Sequence, residues 1–341
     1  MPALVEQNQV GKREDLLNLM TVADAAEKPF MAMVPKGNKP TNMEYSYLVD
    51  KFDDLDLGGV ADGQDSTNFE DPAEYRKRLY TFCMEKKRDV AVGNQAEDVS
   101  DVAAVTSEFS KGLEKKTEEL SRDMEGQLCS TLNHARGTSS ISPNRLRGLF
   151  SWISSTAQSG EFPVDSDYLT PSGAIYSGAL ASFNEITHFK PMLRAQFDQG
   201  RKANADYVLL CGSQVKQYFT DNFTNYKGSD TNTYAATRIF SQSPYEADSL
   251  GGKIQSNITV YDGDFGLVKL VPSVFLARDV SATAGQLYGA LLDMNMFQAR
   301  FHTMPKVKVL ADGGGGPRAT IRTVFSLACL NPKVAGKIVG S

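Results

Sequence analysis

The chain has no run of about 18 apolar residues, the least that a membrane-spanning helix needs. It opens Met1-Pro2-Ala3-Leu4-Val5-Glu6-Gln7, without the apolar centre of a secretory signal. Without secretion, the sequons at Asn222 and Asn257 are chance patterns. Cysteine is sparse and scattered: Cys83, Cys129, Cys211 and Cys329 show neither CxxC nor zinc-knuckle spacing. They read as buried free thiols, because a free cysteine packs as a small hydrophobe. His134, His188 and His302 stand far apart, in no HExxH or His-x-His arrangement, so the sequence offers no metal ligand set. Positive charge is short as well. The net charge is −5 and the pI about 5.4, which argues against an open nucleic-acid-gripping face.

Catalytic signatures are missing too. Gly313 to Gly316 is followed by Pro317, not by the Lys and Ser/Thr of a phosphate-binding loop, and reads as a hairpin tip. Gly336-Lys337 lacks the upstream glycine, and there is no Gly-x-Ser-x-Gly. The acidic tract 53–71 lacks calcium-loop spacing and its terminal bidentate Glu. The sequence therefore points to no catalytic residue, no cofactor and no metal. A nucleophile triad assembled only in space stays open as a rival, a soluble enzyme with a hidden site.

What is present is patterning. A length of 341 residues exceeds a single core and implies two or more lobes. Ser100 reads as the N-cap of a long amphipathic helix reaching His134. Val102, Val105, Phe109, Leu113, Leu120, Met124, Leu128 and Leu132 form its apolar stripe. At about 1.5 Å per residue it would span roughly 50 Å. Phe109, Leu113, Leu120 and Met124 are expected to face a sheet made of later strands. Before it, residues 43–52 read as one strand and Tyr75 to Val92 as a second. Between them, Asp53, Asp54, Asp56, Asp62, Asp65, Glu70 and Asp71 lie among glycines with no Lys or Arg. Two basic clusters, Arg76-Lys77-Arg78 and Lys86-Lys87-Arg88, fall on the second strand. A two-stranded hairpin has no core of its own and is marginal alone in water, so this one is expected to lie across a partner.

Elsewhere, Glu14 to Ala26 reads as a short helix ended by Pro29, followed by an exposed-looking apolar cluster, Phe30, Met31 and Met33. Residues 171–190, 191–199 and 213–224 read as helices, with a strand Asp206 to Cys211 before the last. Residues 227–252 read as a polar loop. Strands are expected at Ile258–Tyr261 and Leu267–Phe275, and at 296–310 and 318–330 around Asp312-Gly-Gly-Gly-Gly-Pro317.

Four passages carry a resemblance. They are Arg13-Glu-Asp-Leu-Leu through Lys28-Pro-Phe-Met-Ala-Met-Val-Pro-Lys-Gly37, Thr117-Glu-Glu-Leu-Ser-Arg-Asp-Met-Glu125, Tyr261-Asp-Gly-Asp-Phe-Gly-Leu-Val268 and Leu327-Ala-Cys-Leu-Asn-Pro-Lys-Val-Ala-Gly-Lys-Ile338. In that order they resemble tailed-phage major capsid proteins of the Hong Kong 97-like fold, in the branch like that of phage SU-ten. The resemblance implies an α+β chain. Its parts would be an N-terminal arm (1–38), an E-loop hairpin (39–95), a P-domain spine helix (96–144), a mixed α/β A-domain (145–255) and late strands returning to the P-domain (256–341). It implies pentamers and hexamers of an icosahedral shell around double-stranded DNA, in a virion assembled in the host cytoplasm. Partners would be further copies, a separate scaffolding protein, a portal, a decoration or cement protein, and DNA held without sequence reading; no membrane enters. An encapsulin-like nanocompartment shell is the rival within the fold. Interface candidates are Phe30, Met31 and Met33 of the arm, Tyr45, Phe52, Asp53 and Asp54 of the hairpin, and its basic run Arg76, Lys77 and Arg78.

Overall fold

The computed structural model describes residues 27–53, 55–63, 65, 69, 71–98, 107–139, 142–200, 207–224, 259–277 and 287–340. The expected helix Glu14–Ala26, the polar loop 227–252 and the helix start at Ser100, Val102 and Val105 lie outside these residues.

Three sheets organise the chain. The first is a hairpin of β1 (Glu44–Val49) and β2 (Lys77–Phe82), antiparallel from Glu44 opposite Phe82 to Val49 opposite Lys77. The second holds β3 (Met84–Ala91), β9 (Phe297–Leu310) and β10 (Arg318–Cys329) in the order β3-β10-β9, all antiparallel. The third is a mixed six-stranded sheet in the order β4-β11-β8-β5-β7-β6. Its strands are β4 (Ile175–Ser177), β5 (Tyr207–Cys211), β6 (Val260–Gly263), β7 (Gly266–Pro272), β8 (Leu287–Leu292) and β11 (Gly336–Val339). The helices are α1 (Pro29–Met33), α2 (Asn94–Asp98), α3 (Glu108–Leu128), α4 (Leu149–Trp152), α5 (Lys190–Asp198) and α6 (Ser213–Thr224).

The six-stranded sheet separates two cores, and strand alternation assigns its side chains. Leu210, Ala290 and Leu292 enter the core shared with α3, β10 and α4. Leu209, Cys211 and Leu291 enter the other, an aromatic core around Phe183, Phe189, Phe219 and Tyr261. Covered on both faces, β5 reads Tyr-Val-Leu-Leu-Cys and is buried throughout, as a central strand must be.

Several expectations need correction. The long amphipathic helix, α3, starts at an N-cap Ser107, whose side chain accepts from the Ser110 amide at 3.1 Å, and it ends at Leu128. Its 21 residues span about 32 Å, not 50 Å. Leu132 continues the helical spacing, but the backbone after Cys129 pairs with a later segment instead. The Gly148 amide donates to the Leu132 carbonyl and the Phe150 amide to the Ser130 carbonyl. A side chain at position 148 would put a Cβ 2.2 Å from the Ser130 carbonyl oxygen, so only glycine permits this approach. Pro29 opens α1, where its missing amide costs nothing. Residues 171–190 are not helical throughout. They hold short 3₁₀ turns, β4, and a π-helical turn at Glu185–Phe189, because β4 is recruited beside β11.

The long second strand is two strands. Alternation continues through Tyr75–Val92 in the sequence, yet Thr81, Phe82 and Cys83 are all buried in succession. At Cys83 the chain leaves the hairpin and enters the three-stranded sheet. The cluster Lys86-Lys87-Arg88 therefore belongs to β3 and not to the hairpin. Arg88 forks onto Asp123 of α3 at 2.7 and 2.8 Å. The late strands also divide. Among the described residues of 256–341, β9 and β10 join the sheet packed on α3, while β6, β7, β8 and β11 join the six-stranded sheet.

Leu120, Met124 and Leu128 bury the C-terminal half of the α3 stripe; Phe109 and Leu113 are half-buried. Leu128→Ala is therefore expected to cost about 2–5 kcal/mol, and Phe109→Ala about 1 kcal/mol. Urea unfolding of the two variants checks the ranking, and equal losses would contradict it.

Candidate assembly surfaces

The arm is seated by a carboxylate that looks solvent-facing in the sequence. Glu125 is buried beside Met124, and its two oxygens accept from the amides of Phe30 at 2.9 Å and Met31 at 2.8 Å. A carboxylate at the open amides of a helix start satisfies donors that would otherwise be orphaned. Burial raises the Glu125 pKa, opposed by those two amide bonds and by Lys28, which ion-pairs with Glu118. Phe30 consequently lies in the chain's own core at 0% exposure, and Met31 and Met33 pack half-buried against it. The apolar cluster of the arm is thus not an exposed patch, because α3 and β10 of the same chain cover it.

The hairpin base is likewise built into the body. Tyr47 accepts from the Cys329 amide at 3.0 Å and donates to its carbonyl at 2.6 Å. Leu79 enters the first core, and Ser326 of β10 donates to the Phe82 carbonyl at 3.2 Å. Tyr45 is half-buried with the Arg300 guanidinium 4.7 Å from its ring centroid.

Beyond Val49 the character changes. Phe52, Leu55 and Leu57 are 98%, 91% and 93% exposed, and Val60 and Phe69 are also open to solvent. Asp53 is exposed and accepts from the Tyr75 hydroxyl at 3.2 Å; Asp54 lies outside the described residues. Arg76 pairs with Asp50 at 3.2 Å across the neck of this loop. Lys77 is half-buried and Arg78 exposed on β2. The structure thus gathers Phe52, Asp53 and Arg76 at one projecting loop and its neck, with Lys77 and Arg78 just below, and leaves Phe30 inside.

A buried joint fixes the hairpin to the rest of the chain, and sequence reasoning missed it. Arg147 is 0% exposed. Its Nε and Nη2 donate to His134 Nδ1 at 2.9 and 2.6 Å, Nη2 also reaches the Phe162 carbonyl at 3.0 Å, and the guanidinium lies 4.6 Å from the Trp152 ring centroid. His134 Nε2 meets the Glu161 carbonyl at 2.5 Å, so the ring is the neutral Nε2–H tautomer. Phe162 carries a left-handed φ of 60°, a conformation that aims its carbonyl at Arg147. The Arg147 amide donates to Thr81 Oγ1 of β2 at 3.4 Å. Burial, and then the Arg147 charge, hold the His134 pKa down to about 4. Nothing in the sequence spacing of His134, Arg147 and Phe162 announces this cluster.

Cys83, Cys129, Cys211 and Cys329 are all buried free thiols. Among the described residues no group of three or more His, Cys, Asp or Glu is placed to hold a metal, and no helix is long and apolar enough to cross a membrane.

A helix-backed sheet with a projecting hairpin, joined to a second sheet lobe, is the architecture of capsid shell subunits. The capsid of a native GTA particle matches with a TM-score of 0.61 at 11% identity, over 98% of this chain and 97% of that one. The capsid of cyanophage P-SCSP1u matches at 0.60 with 10% identity over 99% and 97%. The mature capsid of bacteriophage PhiM1 matches at 0.57 with 10% identity over 99% and 95%. No curated protein matches.

The chain belongs to the SU10 major capsid protein family, whose model matches residues 4–341. It is a structural capsid protein with the α+β, Hong Kong 97-like fold expected from the sequence, and not an enzyme. The nanocompartment alternative is not favoured.

Proposed function

We infer that copies of this chain form pentamers and hexamers of a closed shell, with the loop beyond Val49 as the E-loop laid over a neighbouring copy. The observation that carries this is the loop itself. Phe52, Leu55, Leu57, Val60 and Phe69 are 82% to 98% exposed, more than any other large apolar side chain among the described residues. Contiguous exposed apolar surface marks an interaction site. In this reading α3, the three-stranded sheet and the segment Leu146–Ile153 are the P-domain, and the six-stranded sheet with α5 and α6 is the A-domain that meets its copies around the symmetry axes. Closed symmetry repeats each modest contact over many interfaces. A portal, packaged double-stranded DNA, and scaffolding or decoration proteins are the partners that such a shell calls for, with assembly in the host cytoplasm.

Purified protein is expected to sediment as capsomers, shells or aberrant tubes, visible by cryo-electron microscopy. A stable monomer of 37.2 kDa at every salt and protein concentration would overturn the assignment.

A further inference from the structure

The hairpin of β1 and β2 is gripped on two faces, and strand alternation separates them. Tyr45, Tyr47, Leu79 and Thr81 share one face, since Tyr45 lies opposite Thr81 and Tyr47 opposite Leu79. That face is bound to the body: Tyr47 meets Cys329, Thr81 meets Ser326, and Leu79 enters the first core. Glu44, Ser46, Tyr80 and Phe82 share the other face. Near the base of the hairpin the segment after α3 covers it. Arg136 pairs with Glu44 at 2.6 Å, and the Phe82 and His134 rings lie 5.5 Å apart. Nearer the projecting loop, the cover of Tyr80 is Phe162, stacked on it with ring centroids 4.1 Å apart.

Phe162 belongs to a strap, residues 154–163, stretched between two anchors. Ile153 and Val164 are buried in the first core, whereas residues 155–157, 159–161 and 163 are exposed. Polar contacts hold the strap down. The carbonyls of Glu161 and Phe162 meet His134 and Arg147, the Ser159 carbonyl accepts from Asn133 at 3.0 Å, and Gln158 donates to the Ser151 carbonyl. Among the described residues, no backbone amide of the strap donates to a backbone carbonyl. Phe162 is held at a φ of 60°, a left-handed conformation unfavourable to any residue with a Cβ, and Gly160 turns the chain before it at a φ of 125°. Such strain persists only where the surroundings over-determine it. Here the surroundings are one ring stack and two carbonyl contacts. A segment with few buried apolar contacts and unpaired amides lies at the low-stability end of a fold and opens without the rest.

We propose that residues 154–163 form a two-state strap. Latched, as in this structure, it clamps the hairpin's second face beside the projecting loop. Released, it swings between Ile153 and Val164, Phe162 leaves Tyr80 and its backbone strain, and that part of the hairpin is bare while both cores stay folded. The strap thereby sets how firmly the loop beyond Val49 is aimed. This device does not depend on the shell-forming reading.

A protease that cuts after glutamate reads the released fraction. The Glu161 side chain is exposed, but its carbonyl is held at His134 and the next residue is locked in the left-handed form. Cutting there requires release, and where opening is fast relative to cutting the rate follows the open population. The unaltered full chain is expected to be cut between Glu161 and Phe162 under native conditions, at urea concentrations well below those that unfold the cores. Tyr80→Ala leaves the cut site untouched and removes the stack, so it is expected to raise the rate on the order of tenfold. Phe162→Gly accepts the left-handed φ and Phe162→Ala does not. The Gly variant is therefore expected to be cut several-fold more slowly than the Ala variant, each rate being divided by that of the matching unfolded peptide. Hydrogen exchange across β9 and β10 is expected to stay unchanged in Tyr80→Ala, which a general loss of stability would not allow. Cutting at Glu161 only in step with core unfolding overturns the proposal, and so does Tyr80→Ala cut at the unaltered rate. Equal rates for the Gly and Ala variants overturn the role given to backbone strain. Circular dichroism monitors folding, and if Tyr80→Ala does not fold, the urea dependence of the unaltered chain decides.

Discussion

Trp152→Ala is expected to remove about 3–5 kcal/mol of stability, because a large buried side chain leaves a cavity that its neighbours fill only in part. Trp152 is the chain's single tryptophan and is 1% exposed in the core shared by α3, α4, β10 and the six-stranded sheet. Two further contacts go with it. Its indole donates to the Leu327 carbonyl at 3.2 Å, and its ring faces the buried Arg147 guanidinium. With no carboxylate partner among the described residues, the Arg147 guanidinium depends on such contacts, because an unpaired buried charge is costly. Trp152→Phe keeps one ring but loses the donor and the second ring's volume, so its loss should fall below that of the Ala variant, near ~2 kcal/mol. Urea unfolding followed by circular dichroism measures both. An Ala variant no worse than the Phe variant would show that this core tolerates the void.

Acid is expected to weaken the hairpin joint through His134. In the folded chain the ring is kept neutral down to a pKa of about 4, first by burial and then by Arg147. The unfolded imidazole takes up a proton below about 6.5. The unfolded state therefore binds more protons between those values. Stability from this group is complete above about pH 6.5, falls as pH drops toward 4, and changes no further below it. The loss over that window is on the order of 1–3 kcal/mol, allowing for partial solvation of the ring. His134→Gln can still offer Arg147 an acceptor and does not titrate. The difference between the two proteins in unfolding free energy, measured from pH 7 to pH 4, isolates this group from the carboxylates. Parallel curves would rule His134 out as the titrating group. Protection of the Thr81 and Phe82 amides from hydrogen exchange, after correction for the intrinsic pH dependence of the rate, should fall across the same window, because both strand residues lie against this joint.

Much of the secondary structure was legible because its causes are local. The apolar stripe Leu120, Met124 and Leu128 at helical spacing marks α3, and alternation on either side of Asp312–Pro317 marks β9 and β10. The acidic, cation-free loop is legible as composition alone, and so is its exposure, since nothing in it repeats at a period that would pack.

The sequence by itself determined the amphipathic helix, the paired late strands, the acidic loop, the scattered thiols and, through four short passages, the family. Only the tertiary structure decided where Tyr75–Val92 breaks, which late strands join which sheet, that Phe30 belongs to this chain's own core, and that Glu125, Arg147 and His134 lie inside. The physical reason is common to all of these. A strand's period is the same whichever partner it pairs with, so alternation cannot report the change of sheet at Cys83. A charged residue reads as solvent-facing until its partners arrive, and those of Arg147 and Glu125 come from segments distant in sequence. The same holds for the exposed cations Lys87, Arg322 and Lys306, which are far apart in the chain and become neighbours only through the register of three strands.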